Sequence, residues 1–277
     1  MKRVIGTSMF LLLDGTKKVP IYDVESKTIG EVELPVIFNF PIRKDLIRRA
    51  FLAEFTARLQ PKGRDPLAGK RTSARSLGVG LGIARVPRIP GLGRAAFVNS
   101  AVGGHLAHPP RVEKKIHERI NKKEKKLATI SALSATSIVE IVRNRGHIFS
   151  IEQLPVIIDD SVEDKISKTK EAKTFLEKIG IWQDIIRAKE RTRIRAGKGK
   201  RRGRRYIEPR SILFITNNYN SPLARSIRNL PGVDIIEPWL VSVLHLAPGG
   251  EPGRLTMISY SSLEELSKRF SMVPEVV

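Results

Sequence analysis

The chain has no cysteine. That excludes a disulfide framework, a thiolate zinc site and a cysteine nucleophile, and it fits a reducing compartment. No apolar run reaches the roughly 18 residues that a spanning helix requires, so no membrane-crossing helix is expected. Aromatic residues make up only 6% of the chain, too few for rows of stacking platforms. Acid is in deficit: 28 Asp plus Glu stand against 50 Lys plus Arg, a formal net charge of +22. That imbalance excludes an ordinary metabolic enzyme as the default and points to a polyanionic partner. Enough apolar material remains for a folded core, since 41% of the 277 residues are hydrophobic.

The charge is concentrated. Residues 61–111 hold nine basic side chains (Lys62, Arg64, Lys70, Arg71, Arg75, Arg85, Arg88, Arg94 and Arg111) and one acid, Asp65, for a net +8. Residues 187–210 hold twelve basic side chains against Glu190 and Glu208, a net +10. From residue 191 onward these are Arg191, Arg193, Arg195, Lys198, Lys200, Arg201, Arg202, Arg204, Arg205 and Arg210. Together the two segments carry +18 in 75 residues, and the other 202 residues carry +4. A near-neutral body with two cationic extensions is therefore expected.

Both extensions are poor folders. Segment 61–111 contains nine glycines and six prolines, which cost backbone entropy and remove ladder donors. It is far too long for a passive connection. Segment 191–205 has nine cations, three glycines and no acid, and self-repulsion is expected to hold it open until a polyanion neutralises it. Running out and back, the first extension reaches up to ~80 Å at ~3.3 Å per residue. A body of about 225 residues has a radius of gyration of only ~17 Å.

The body reads as alternating strands and helices. Lys2 and Arg3 ahead of an apolar stretch resemble a leader, but Lys17-Lys18 follows with no small-residue cleavage site, so Met9 to Leu13 is read as a first buried strand. A hairpin is expected over 19–34. Helices are expected over 41–60 (stripe Leu46, Ile47, Ala50, Phe51, Phe55, Leu59), over 112–135, and from Ser137 to Gly146. A βα rhythm follows: strand 154–158, helix 168–179 ended by Gly180, strand 211–216, a helix opened by Ser221-Pro222, strand 233–236, a helical 239–246, strand 255–259 and a helix capped by Ser262. This predicts an α/β fold with a Rossmann-like, mostly parallel sheet and flanking helices. The body comprises 1–60 and 112–277, interrupted by the 61–111 loop and carrying 187–210 as its second extension.

Nucleotide motifs fail on inspection. Gly63 to Lys70 has five residues between its glycines where a P-loop has four, and Arg71 stands where Ser or Thr should bind magnesium. Gly91 to Ala96 fits G-x-G-x-x-A but lacks a preceding strand and a later acid, so turn-forming glycines are the better account. Asp159-Asp160 at a strand end is read as a turn or helix cap before a magnesium site, and His105-x-x-His108 as no metal site. No catalytic set, metal or cofactor is expected. The basic tracts carry the stronger signal, because guanidinium forks match phosphate oxygens and each contact releases counterions. With Phe97 and Tyr206 as the lone aromatics of the two tracts, folded nucleic acid read through shape and phosphate is favoured. Two alternatives stay open: an α/β RNA-modifying enzyme with its ligand near Asp159-Asp160 or Thr216-Asn217-Asn218, and a membrane-surface or DNA-compacting protein.

Ordered stretches along 70–215 resemble a known family. They are Lys70-Arg71-Thr72-Ser73-Ala74 with Gly78 to Arg88; Gly93 to Phe97 on to Gly104 and His108-Pro109-Pro110; Asn121 to Glu124 through Ser131 to Thr136; and Gly197 to Lys200 through Arg204-Arg205-Tyr206 to Ser211. The chain is similar to the archaeal and eukaryotic form of the large-ribosomal-subunit protein four family. It ends soon after Phe270 without the eukaryotic tail, as archaeal members do. The resemblance implies a non-enzymatic, cytoplasmic constituent of the large subunit that binds its rRNA through the basic residues named above. It implies that the loop tip, near 77–88 and centred on Leu77, Gly78, Val79, Gly80, Leu81, Gly82 and Ile83, lines the peptide exit tunnel beside large-subunit protein twenty-two and the nascent peptide. Leu77 replaces an aromatic common in eukaryotic members.

Overall fold

Strands covered on both faces run apolar, as the buried VII and LFI at the centre of this sheet do. The computed structural model describes residues 17–270; the strand expected at Met9 to Leu13 lies outside them. In chain order β1 (Lys18–Tyr22) and β2 (Thr28–Glu33) form an antiparallel pair, followed by α1 (Lys44–Ala57), α2 (Lys122–Thr136) and α3 (Val139–Asn144). Next come β3 (Val156–Ile158), α4 (Asp160–Lys165), α5 (Thr169–Ile179) and α6 (Trp182–Glu190). A separate ribbon of β4 (Arg193–Ile194) and β5 (Tyr206–Ile207) precedes β6 (Leu213–Ile215), α7 (Pro222–Ile227), β7 (Asp234–Ile236), α8 (Val243–Leu246), β8 (Thr256–Ser259) and α9 (Tyr260–Phe270).

Among the described residues the main sheet has six strands in the order β2-β1-β3-β8-β6-β7. All neighbours are parallel except the edge pair β1–β2. Alternate residues feed two cores. Ile157, Leu213, Ile215 and Ile258 pack with Ile47, Ala50, Leu133 and Leu266 from α1, α2 and α9. Val156, Ile158, Phe214 and Met257 pack with Phe175, Leu176, Ile185 and Ile227 from α5, α6 and α7. The body is thus an α/β sandwich of helices on both faces of a mostly parallel sheet, and each fully buried Val, Leu, Ile, Phe or Met among these contributes about 1.5–3 kcal/mol.

The chain divides into two units. One joins the chain up to Phe55 to the chain from Arg119; the other is Thr56–Glu118. Both core clusters draw only on the first.

Several boundaries differ from expectation. The helix expected over 112–135 begins at Lys122, after Asn121 in extended geometry. Val112 is exposed and Ile116 only half-buried, so their spacing had no apolar surface to pack on, and packing rather than propensity sustains most helices. Phe55 and Leu59 of the expected α1 stripe are also exposed, with Ala53 buried instead. Residues 239–246 split into a 3₁₀ turn, Pro238–Leu240, and the short α8. Ser262 lies inside α9, its hydroxyl bonded to that of Ser259 at 2.7 Å. Helices α4 and α6 are additional to the expected elements. Gly180 does end α5, at φ 91°, and the Ser221 hydroxyl caps α7 by accepting from Ala224 N.

Candidate nucleic-acid interface

The 56–118 unit is held by backbone pairing rather than by an apolar core. Its base closes where Glu118 N donates to Thr56 Oγ1 (3.1 Å) and Arg64 N to the Pro110 carbonyl (3.2 Å). Gly104 is forced by a close approach: a Cβ there would stand 1.8 Å from the Val98 carbonyl oxygen. Further along, Arg75 and Arg88 exchange both backbone hydrogen bonds, at 3.1 and 2.9 Å. Arg88 also bridges Ala95, because the chain turns back a second time over 89–94. The loop is therefore not a single out-and-back excursion. Gly91 and Gly93, at φ 82° and 66°, make that second turn, the role expected of this G-x-G match.

Beyond the Arg75–Arg88 pair the Ser76 hydroxyl donates to the Arg85 carbonyl (3.3 Å) and closes a tip of 77–84. Leu77, Val79, Leu81 and Ile83 are all exposed there, and Gly78, Gly80 and Gly82 alternate with them at positive φ with nothing near a would-be Cβ. Lys62, Arg64, Lys70, Arg71, Arg75, Arg85, Arg94 and Arg111 are exposed, and Arg88 is half-buried with Nη1 on the Gly93 carbonyl (2.8 Å). Arg71 is ion-paired with Asp65.

The 191–205 tract is not open, as self-repulsion suggested. β4 and β5 pair Arg193 with Ile207 and Ile194 with Tyr206, and a 3₁₀ turn, Lys198–Arg202, joins them between Gly197 and Gly203, both at positive φ. β-forming residues on each rail outweighed the repulsion. Arg191, Arg193, Lys198, Lys200, Arg201, Arg202, Arg204 and Arg205 are exposed; Arg195 is half-buried, with Nε on the Arg204 carbonyl (3.0 Å).

Two carboxylate clusters, one around the buried Asp184 and one around the half-buried Asp234, anchor this ribbon, and sequence reasoning missed both. Asp184 is fully buried and accepts from His147 Nδ1 (2.9 Å), Ile148 N (3.0 Å) and Arg187 Nε (2.8 Å). Arg187 Nη2 in turn donates to the Arg210 carbonyl (2.9 Å). Burial alone would raise the Asp184 carboxyl, but the His147 and Arg187 hydrogen bonds hold it below the usual range. Burial pushes His147 down. Asp234 binds Arg210 Nη1 (2.7 Å) and the fully buried Arg254 Nη1 (2.8 Å), whose guanidinium also donates to the carbonyls of Ser211, His245 and Gly232. Burial lowers Arg254 to about 10, so it remains charged at neutral pH. The i,i+3 spacing of Asp184 and Arg187 was a usable signal; nothing in the sequence marks Arg254.

The strand ends offered to an enzymatic ligand are engaged structurally. Asp159 caps α4, Asp160 accepts from Ser261 N (3.0 Å) and Oγ (2.8 Å), and Asn217 N donates to Glu163 (3.2 Å). No group of three or more His, Asp or Glu among the described residues is placed to hold a metal, and none of their helices is long and apolar enough to cross a membrane.

A family model described as "Ribosomal protein L4/L1 family" matches residues 32–269. The chain belongs to the ribosomal protein L4/L1 family. It is a structural constituent of the ribosome and not an enzyme. Its relatives include three named large ribosomal subunit protein uL4. That of Aeropyrum pernix is 60% identical, covering 96% of this chain and 98% of its own. That of Sulfurisphaera tokodaii is 55% identical over 92% and 95%, and that of Saccharolobus solfataricus 55% over 92% and 96%. These archaeal relatives make the chain an archaeal-type member, and family membership sets aside the RNA-modifying alternative.

Proposed function

We propose that this chain is a component of the large ribosomal subunit that binds large-subunit rRNA through 61–111 and 187–210 and presents the 77–83 tip to the peptide exit tunnel beside large-subunit protein twenty-two. The observation that carries the reading is the display of cations without counter-charge: all nine basic residues of 191–205 meet no acid within the segment, and 61–111 has only Asp65. Guanidinium groups so placed are permanent charges whose fork geometry matches phosphate oxygens. The same division makes the body, residues 1–60 and 112–277, the mount for both. The tip suits a passage for chain, since 77–83 contains only apolar residues and glycine.

Affinity for a large-subunit rRNA fragment tests it. With ~10 phosphate contacts, binding weakens by about 10³–10⁵ between 50 and 200 mM salt. A flat salt response refutes rRNA binding. A photocrosslinker at Gly80 or Ile83 in assembled particles yields nascent-peptide adducts if the tip lines the tunnel, and only rRNA or ribosomal-protein adducts if it does not.

A further inference from the structure

The β4–β5 ribbon is built for phosphate except at one place. Ile194 and Tyr206 are direct register partners, so their side chains share one face of the ribbon. Both are open to solvent, at 56% and 58% exposure. The other pair, Arg193 and Ile207, stands on the opposite face, where Ile207 is half-buried. Folding thus accounts for Ile207 and leaves Ile194 and Tyr206 unexplained. The backbone carrying the ring is paired, and a guanidinium lies near the ring. The Arg205 guanidinium carbon lies 5.7 Å from its centre, Arg195 N donates to the Arg205 carbonyl (2.8 Å), and Arg195 Nε donates to the Arg204 carbonyl (3.0 Å).

We propose that Tyr206, backed by Ile194, is a stacking platform for one unpaired nucleotide of the bound RNA. The inference rests on the rRNA-binding reading above and sharpens it. A nucleotide supplies in one residue both things this patch lacks: a flat apolar face for the ring and a phosphate for the flanking Arg204 and Arg205. A protein partner would need an apolar contact set in acidic surroundings to meet nine cations without an acid. One platform holds one base, whereas reading a strand takes a row of them. The expectation that this tract meets RNA only through shape and phosphate is amended at this single position.

The test uses the full-length protein and a large-subunit rRNA fragment, titrated across a salt series. Stacking predicts that Tyr206→Ala weakens binding roughly 5- to 150-fold with the salt slope unchanged. Tyr206→Phe keeps the ring and retains affinity, while Arg204→Ala reduces the slope by about one. The side chain is exposed, so the thermal melt of each variant matches the parent. Wild type with a steep slope and Tyr206→Ala of equal affinity would overturn the platform while leaving rRNA binding intact. A parent with no salt dependence would instead sink the underlying reading. Normal affinity of Tyr206→Ala for bare rRNA combined with failure to enter particles would also overturn it and mark the pair as a protein contact.

Discussion

At the scale of single residues, His147 sets a pH limit on the body. Its Nδ1 faces the Asp184 carboxylate at 2.9 Å, which assigns the proton of the neutral ring to Nδ1. Burial lowers its pKa below the ordinary value near 6.5. Between the two values the unfolded chain takes up a proton that the folded chain refuses, so stability is full above about 6.5 and declines as the pH falls, by at most ~1.4 kcal/mol per pH unit for one proton. Asp184, held low, adds its own loss only as the pH drops below the ordinary carboxylate range. Urea melts between pH 7 and pH 5 are expected to show this decline in the parent and a shallower one in His147→Gln, which can still donate to Asp184. Equal pH slopes in the two proteins would show that another group is responsible.

At the scale of elements, the loop depends on close backbone passages rather than buried side chains. Gly104→Ala would drive a methyl into the Val98 carbonyl, and backbone must shift to admit it. The expected outcome is a body melt within ~0.5 kcal/mol of the parent, new protease cuts over 96–108, and weaker rRNA binding; an unchanged digestion pattern would show that the passage is dispensable. Elements with local punctuation were legible in the sequence: Gly180 closes α5, Ser221-Pro222 opens α7, and the segments holding β3, β6 and β8 read as strands of a parallel sheet. The exposure of most cations of the two tracts was legible too, because segments so rich in like charge have no acids or apolar cover to bury them. Less local features were not. The start of α2 depended on what Val112 and Ile116 could pack against. The β4–β5 ribbon was not legible, because nine cations in 191–205 oppose the strand preference of Ile194, Tyr206 and Ile207. The contact of His147 with Asp184, 37 positions apart, is a product of the tertiary fold.

For the whole molecule, the separation of core from loop has a direct consequence. Neither apolar cluster includes a residue of 56–118, and the loop's own base brings Arg64 N to the Pro110 carbonyl. Replacing 62–110 with a short glycine linker is expected to preserve a single cooperative melt while removing a large part of the salt-dependent rRNA affinity. Loss of that melt would mean the loop contributes to the body's stability. The clamps at the two ends of the cationic ribbon bear on mechanics as well. A load applied at Arg201 or Arg202 runs down both rails and terminates on carboxylates of the body, through Arg187 to Asp184 on one side and through Arg210 to Asp234 on the other. A handle fastened at both feet passes such a load into the body and resists peeling from either end.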